Sequence, residues 1–247
     1  MSSDYLKRVE VITAVVVIML IVGMFNIVSR PNHNVYLFDE ETRVLTVNGD
    51  FDMSYILTYK DVRKLVFTEK CKFPKDCSWL FYNMNDTLHD LESIDLSAAD
   101  FSHVENMSYM FCRCWNVENI ILTGIDISNV TDMSGMFQNC YDLKYVDLIG
   151  VDTSNVTDMS CMFSCCTDLV DIDLSELDLS SATNMSFMFY YCISLYWVDI
   201  SFDIPNLQEA HLMFDLCDSV KYIYVMPELR SMIDDTRLPN FTYVIVV

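Results

Sequence analysis

Glycine, histidine and positive charge are all scarce in this chain of 247 residues. It has five glycines and four histidines, and 15 lysines and arginines stand against 36 aspartates and glutamates. With so little glycine, asparagine, aspartate and serine must form most of the turns. The resulting net charge of −21 repels the phosphates of nucleic acids and anionic lipids, so nucleic acid is excluded as a partner. It favours cations or basic partners instead.

Recognisable catalytic motifs are missing as well. The histidines pair with no cysteine or serine in a nucleophile motif; they are His33, His89, His103 and His211. No glycine-rich phosphate loop and no His-Glu-x-x-His metal motif occurs. The sequence therefore predicts a protein that is not an enzyme, with no catalytic residue, no resident metal and no cofactor.

One stretch without charge stands near the start of the chain. Residues 11–28 read VITAVVVIMLIVGMFNIV, which as a helix is about 27 Å long, close to the ~30 Å hydrocarbon core of a bilayer. This predicts a single-pass signal anchor over residues 9–28 behind a short cytoplasmic tail, residues 1–8, with the rest of the chain on the external surface. A cleaved signal peptide is the alternative, although no small-x-small cleavage site follows the apolar run.

An internal repeat fills most of the remaining chain. Cysteines recur at steps of 26, 26, 26 and 25 residues, at Cys114, Cys140, Cys166, Cys192 and Cys217. Phenylalanines keep the same step, at Phe111, Phe137, Phe163, Phe189 and Phe214. So do apolar triplets, which start at Ile94, Ile120, Val146, Ile172, Val198 and Ile223. A period of this length predicts a solenoid in which each unit packs only against its neighbours.

Within one unit, Val130, Met133, Met136 and Cys140 recur at steps of three and four, which predicts a short helix with one buried face. Asn129 with Asp132 resembles a helix-start capping box. The in–out–in pattern of Val146-Asp147-Leu148 predicts a short strand, and strands of successive units must be parallel, ~4.8 Å apart. The predicted fold class is thus α/β, a leucine-rich-repeat-like solenoid of ~26-residue coils.

The predicted domain organisation follows from where this pattern begins and ends. Residues 29–88 form a leading capping segment, with strands at 44–50 and 62–67 and an irregular insertion at 68–88. Residues 89–225 form the solenoid, and residues 226–247 form a C-terminal cap that holds the last strand.

The units DISNVTDMSGMF and DTSNVTDMSCMF, followed by Cys-x-x-Leu, resemble the BspA-like leucine-rich-repeat surface proteins over roughly residues 44–225. LTVNGD ahead of VRKLVF is similar to the leading segment of that family. The resemblance implies a leucine-rich-repeat-like solenoid, displayed on a cell surface, without enzymatic activity and engaged in adhesion.

The cysteines allow more than one interpretation. The five that share the repeat lie on the predicted buried face, where cysteine acts as a small hydrophobe, although neighbours ~4.8 Å apart are also within disulfide range. Cys71 and Cys77 close a short loop outside the repeat and are the best candidates for a disulfide.

Two rows of aspartates run along the repeat. The first follows the strand and fits Asx turns (Asp100, Asp126, Asp152, Asp178 and Asp203). The second lies at outward strand positions and is either a solvated face or a stripe for a divalent cation or a basic partner. The candidate ligand-binding residues combine this second row with outward aromatics: Asp95, Asp147, Asp173, Asp199, Tyr145, Trp197 and Tyr224.

Six Asn-x-Ser/Thr sequons are candidates for N-glycosylation, at Asn85, Asn106, Asn129, Asn155, Asn184 and Asn240. Most of them arise from the repeat itself, and helix capping is the first interpretation of these asparagines.

Together these features predict a membrane-anchored surface protein whose solenoid mediates adhesion, or binding of an extracellular protein or glycan. The alternative is a structural spacer or coat component, tethered to the membrane and without a specific ligand.

Overall fold

Short β-strands recur at the repeat interval in the computed structural model, which describes residues 36–175, 177–201, 203–233, 238–239 and 242–246. The predicted tail and signal anchor, residues 1–28, lie outside this range. Within the described residues, no helix combines the length and apolarity needed to cross a bilayer. Residues Tyr36–Val247 form one structural unit.

Ten strands and three short helical segments make up the described chain. The strands are β1 (Tyr36–Asp39), β2 (Val44–Val47), β3 (Lys64–Phe67), β4 (Ser93–Asp95), β5 (Asn119–Ile121), β6 (Tyr145–Asp147), β7 (Asp171–Asp173), β8 (Trp197–Ile200), β9 (Tyr222–Val225) and β10 (Tyr243–Val246). The helical segments are α1 (Met53–Ile56), a 3₁₀ turn (Met84–Asp86) and α2 (Pro227–Arg230).

The strands form two sheets, ordered β1 to β6 and β7 to β10. Strand β1 is antiparallel to β2, and every later pair is parallel. The central apolar residues are in register, so that Ile94 faces Ile120 and Val198 faces Ile223. The predicted parallel array of strands, one per repeat, is therefore confirmed, including the last strand at 243–246.

Sheet pairing stops between β6 and β7, but the coils remain in contact on another side of the solenoid. There, single bridges link Asn106 to Asp132, Asp132 to Asp158 and Asp158 to Asn184. The array thus continues through the break between the sheets, and the interruption concerns the strand side alone.

The predicted short helix in each coil is wrong. The segment between strands is a series of tight turns, because only every second N–H group bonds within its own coil. The N–H groups of Met133, Gly135 and Phe137 donate to the carbonyls of Asp158, Ser160 and Met162 in the next coil, whereas Met136 N–H donates to Met133 O. In an α-helix, each of these N–H groups would instead donate to the carbonyl four residues earlier in the same segment.

Left-handed residues explain why no helix can form there. Two positions in each turn segment have positive φ, such as Gly135 at 60° and Asn139 at 62°. Their counterparts in other coils include residues with large side chains, such as Tyr109 and Phe187. Each non-glycine residue in this conformation costs roughly 1–2 kcal/mol, which the hydrogen bonds between coils must offset. The apolar spacing of three and four reflects three-residue turns.

The predicted capping box is wrong for a related reason. The Asn129 side-chain amide donates across the coils to Ser102 O at 2.9 Å, and Asp132 Oδ1 accepts from Ser134 N at 2.8 Å. The side chain of Asn129 therefore links two coils, and that of Asp132 stabilises a turn. Neither of them caps a helix.

A column of phenylalanine rings runs through the core. The rings of Phe81, Phe111, Phe137, Phe163, Phe189 and Phe214 are stacked, with neighbouring centroids 5.2 to 5.6 Å apart. Such offset stacks stabilise by about 0.5–1.5 kcal/mol per pair beyond the area they bury.

The five repeat cysteines form a second column beside these rings. All are buried free thiols, and each Sγ donates to the carbonyl of a phenylalanine in the preceding coil. The distances are 2.9 to 3.2 Å, from Cys114 to Phe81 and onward to Cys217 with Phe189. Burial raises the pKa of Cys114 and of Cys217 to about 12, so each remains a protonated donor at neutral pH.

The predicted irregular insertion at 68–88 is also wrong, because most of it is a further coil. Asp76 bridges Asn106, and Phe81 stacks on Phe111, so residues 76–95 repeat the pattern of the later units. This unit is 30 residues long, judged by the step from Asp76 to Asn106, and it contains the 3₁₀ turn.

Cys71 and Cys77 are free thiols in this structure, and the predicted disulfide between them is absent. The Cys71 Sγ donates to Val47 O at 3.1 Å, while the Cys77 Sγ donates to Pro74 O at 3.2 Å. Cys77 occupies the first methionine position of the repeat and packs in the core as Met107 does. Each thiol therefore has its own structural position.

Candidate functional site

The outward side of β3–β10, called the strand face from here on, carries six of the seven candidate binding residues on four consecutive strands. Tyr145 and Asp147 lie on β6, Asp173 on β7, Trp197 and Asp199 on β8, and Tyr224 on β9. The seventh, Asp95 on β4, is paired with Lys64, with Nζ and Oδ2 3.0 Å apart. The structure thus separates Asp95 from the others.

The strand aspartates take part in local turns. Asp147 accepts from Ile149 N at 3.1 Å, and Asp173 accepts from Ser175 N at 2.9 Å and from its hydroxyl at 2.6 Å. One oxygen of each carboxylate is thereby fixed. For Asp95, burial alone would raise the pKa, but the hydrogen bonds from Ser97 and Lys64 outweigh it and lower the pKa below its usual value.

Four of the five aspartates in the first row form the Asx turns that the sequence predicts; the fifth, Asp203, is followed two residues on by Pro205, which has no N–H to donate. Asp100, Asp126, Asp152 and Asp178 each accept a hydrogen bond from the N–H of the serine two residues on, at 3.0 to 3.1 Å. A third row of the same kind was not predicted and lies at the bridge positions, where Asp76, Asn106, Asp132, Asp158 and Asn184 accept from serine N–H groups. Asx turns therefore form the corners that glycine would otherwise supply.

An aromatic pocket lies on the strand face near the end of the array. It is shallow and open, and it is lined by Asp171, Tyr196, Trp197, Tyr222 and Tyr224. The centroids of Trp197 and Tyr224 are 6.0 Å apart at 55°, and those of Tyr196 and Tyr222 are 5.8 Å apart at 74°. The first pair is tilted and the second is edge-to-face, and all four rings line the same pocket.

A lysine already interacts with two rings of this pocket. The Lys221 Nζ is 5.3 Å from the centroid of Tyr222 and 5.7 Å from that of Tyr196. Both distances are within the ~6 Å range of cation–π attraction. The pocket is therefore an aromatic surface in which two of the rings already lie next to a positive charge of the same chain.

The predicted site contained only Trp197 and Tyr224 of this group, and Asp171, Tyr196 and Tyr222 were missed. Strand pairing places Trp197 opposite both Asp171 and Tyr222. The signal was present in the alternation of Tyr222-Ile223-Tyr224, which directs both tyrosines outward. The 25-residue step in this unit, one shorter than the others, hides the correspondence between Tyr222 and Trp197.

Metal coordination has no evident site in the described part of the chain. No group of three or more histidine, cysteine, aspartate or glutamate side chains converges there in a geometry that could hold an ion. Burial raises the pKa of Cys112 to about 12 and that of Cys161 to about 11, which keeps these thiols protonated and poor as ligands.

The sequons differ in accessibility. Asn85 is 4% exposed, and its amide donates to Leu88 O and Leu91 O, which leaves no room for a glycan on the folded chain. Asn129 and Asn155 are exposed, although their amides donate to serine carbonyls of the preceding coil. Asn106 and Asn184 lie in the Asx turns, and Asn240 lies outside the described residues.

The repeat with its stacked phenylalanines and hydrogen-bonded cysteines coincides with a known family. Residues 75–196 and 105–224 match the family described as "Mycoplasma protein of unknown function, DUF285". The chain belongs to this family. The family description names no enzymatic activity, and no curated protein shows significant similarity to the chain.

One solved structure similar to this DUF285 chain is a leucine-rich repeat protein from Bacteroides ovatus. The two share 17% identity with a TM-score of 0.35, over 76% of this chain and 54% of the other. The DUF285 chain thus spans about half the length of that protein. The DUF285 chain is described as an array of parallel strands because its own strands pair in this way.

Proposed function

We propose that this chain is a membrane-anchored surface protein that uses the strand face of its solenoid for adhesion, by binding an extracellular protein or glycan. The observation that carries the proposal is the aromatic pocket, flanked by the carboxylates of Asp147, Asp173 and Asp199 on the same face. Large aromatic side chains at outward strand positions are typical anchors of binding interfaces.

The resemblance to BspA-like surface proteins supports the display of this face outside the cell. The uninterrupted apolar run at 11–28 supports the anchor, since its length approaches that of a bilayer core. With the N-terminus inside, the solenoid lies on the external side.

The size of the strand face limits the affinity of a single copy. Eight parallel strands at ~4.8 Å spacing and ~10 Å width give a face of roughly 340 Å², compared with ~800 Å² per partner in a standard interface. Adhesion must therefore include the adjoining turns or depend on many anchored copies acting together.

Protease treatment of intact cells tests the display of the solenoid. The full chain, tagged at its C-terminus, is expressed in its membrane and exposed to protease with and without lysis. Loss of the tag signal in intact cells is expected, and protection until lysis contradicts the proposal.

Adhesion itself is tested by comparing cells that carry the wild-type chain with cells that carry Trp197→Ala/Tyr224→Ala. Display is first matched by antibody staining. The proposal predicts weaker attachment of the variant to protein- or glycan-coated surfaces. Equal attachment by the variant would contradict a role of the strand face, and self-association of the chain with no attachment at all would favour a structural spacer or coat component.

A further inference from the structure

We infer that the aromatic pocket receives the cationic side chain of a lysine or arginine from a basic segment of a partner protein. Further basic residues of that segment would then lie over the flanking aspartates of the strand face, Asp147, Asp173 and Asp199. This inference rests on the proposed function and identifies the chemical class of its partner. The pocket is lined by Asp171, Tyr196, Trp197, Tyr222 and Tyr224.

The rings of the pocket are arranged to attract a cation. Lys221 contacts Tyr196 and Tyr222 from one side, with its Nζ 5.7 and 5.3 Å from their centroids. Among the described residues, no cation lies over the other pair, Trp197 and Tyr224. Tryptophan has the strongest cation–π attraction of the aromatic side chains, so this second pair is the better seat for a cation from outside.

Unpaired carboxylates surround that seat. Asp171 is exposed and faces Trp197 across the strands, and Asp173 faces Asp199. Neither these three carboxylates nor Asp147 forms an ion pair with any described residue. A cationic side chain bound over Trp197 would therefore share the pocket with the carboxylate of Asp171.

Desolvation argues for a cationic rather than a neutral occupant. A neutral ligand covering this face would remove water from several carboxylates and offer no opposite charge in return, which is unfavourable. A lysine- or arginine-bearing segment compensates these charges. The net charge of −21 also attracts such a segment from a distance, and complementary charge raises the rate of association.

The test uses the full chain in a neutral detergent and two peptides, an acetylated Lys-Ser repeat of eight residues and the corresponding Gln-Ser repeat. Calorimetry and tryptophan fluorescence measure binding at low and high salt. The lysine peptide is expected to bind, more weakly at high salt, and the glutamine peptide is expected not to bind.

Four variants locate the site. Trp197→Ala and Asp171→Asn are each expected to weaken binding of the lysine peptide by about tenfold. Lys221→Met is expected to strengthen binding, because it removes a positive charge beside the pocket that repels the lysine peptide. Trp115→Ala, which truncates an exposed tryptophan away from the pocket, is the matched control and is expected to have no effect. Circular dichroism verifies that each variant is folded.

Three results would overturn the inference: equal binding of both peptides, no effect of Asp171→Asn, or weaker binding by Lys221→Met. Binding of a neutral oligosaccharide that survives Asp171→Asn and high salt would likewise replace it with a glycan site. Failure here is distinct from failure of the proposed function. A chain that binds the lysine peptide in detergent but is protected from protease in intact cells contradicts surface display alone.

Discussion

Individual side chains determine how closely the coils approach each other. Phe137 stacks on Phe111 and on Phe163, with centroids 5.6 and 5.3 Å away, whereas among the described residues Phe214, at the far end of the column, stacks only on Phe189. Both residues are buried. Position in the column should therefore determine how much stability each ring contributes.

Replacing Phe137 by Ala is expected to lower the free energy of unfolding by about 3–5 kcal/mol, because a buried ring and two ring contacts are lost. Phe214→Ala is expected to cost less, since among the described residues Phe214 stacks on one ring and Phe137 on two. Denaturant unfolding of the full chain in detergent measures both, with Trp115→Ala as the exposed control. Equal losses for Phe137 and Phe214 would contradict a continuous column.

Gly135 is a position where any side chain would meet the ring of Tyr109 from the preceding coil. Its φ is +60°, and a Cβ atom built there would lie 2.3 Å from Cε1 of Tyr109. Gly124 has a similar φ of +69° but no atom within 4 Å of such a Cβ. A comparison of substitutions at Gly124 and Gly135 therefore separates the cost of backbone strain from the cost of steric overlap.

Gly124→Ala is expected to destabilise the chain by about 1–2 kcal/mol, the cost of a left-handed alanine. Gly135→Ala is expected to cost clearly more, because the Tyr109 ring must also move. Thermal and denaturant unfolding of the two variants provides the comparison. If both substitutions cost the same, the Tyr109 ring does not cover Gly135 as described.

At the scale of elements, the strands could be predicted and the turn segments could not. The apolar–acidic–apolar triplets define both the strands and their inward residues, and a fixed period places them in register. The steps of three and four in Val130, Met133, Met136 and Cys140 fit a helix equally well, so periodicity alone could not reveal turns. The decisive feature, hydrogen bonds from alternate residues to the next coil, involves only backbone atoms.

The candidate site was predictable only in part, for a reason that belongs to strand pairing. Trp197 and Tyr224 stand out as aromatics at outward positions, but Asp171 becomes their neighbour only through the pairing of β7 with β8. The coil at 76–95 was missed because Cys77 replaces the methionine of the motif and the unit has a 30-residue step. Its phenylalanine, Phe81, keeps the core pattern and stacks on Phe111 of the next coil.

The cysteine column predicts a stability that declines at alkaline pH. Burial raises the pKa of each repeat thiol above the ordinary value of 9.0. Above pH 9 the unfolded chain therefore releases protons that the folded chain retains, which favours unfolding. The stabilisation is complete below pH 9 and is lost as the pH rises towards about 12, the pKa of Cys114 and of Cys217.

Each such thiol is expected to lower stability by about 1.4 kcal/mol per pH unit above pH 9. The variant Cys140→Ala/Cys166→Ala should accordingly lose stability less steeply between pH 9 and 10.5 than the wild type. Unfolding titrations at several pH values measure the slope. The same slope in both proteins would show that these thiols titrate normally in the fold.

At the scale of the whole array, the described residues from Tyr36 onward form coils that backbone hydrogen bonds join to their neighbours. The net charge of the full chain is −21. The strand face exists only because the strands of successive coils are in register. Damage to one coil should therefore spread to both neighbours.

Phasing of the coils is tested most directly by cross-linking engineered cysteines at exposed positions one or two repeats apart. Thr131 and Thr157 occupy equivalent places, with Thr157 N donating to Thr131 O at 2.9 Å, and Thr183 follows in the next coil. Neighbouring coils ~4.8 Å apart are within disulfide range, and coils two steps apart are not. Under mild oxidation, Thr131→Cys/Thr157→Cys should form a disulfide, detected by peptide mass spectrometry, and Thr131→Cys/Thr183→Cys should not. No cross-link in the first pair, or an equal yield in both, would contradict a stack of coils in phase.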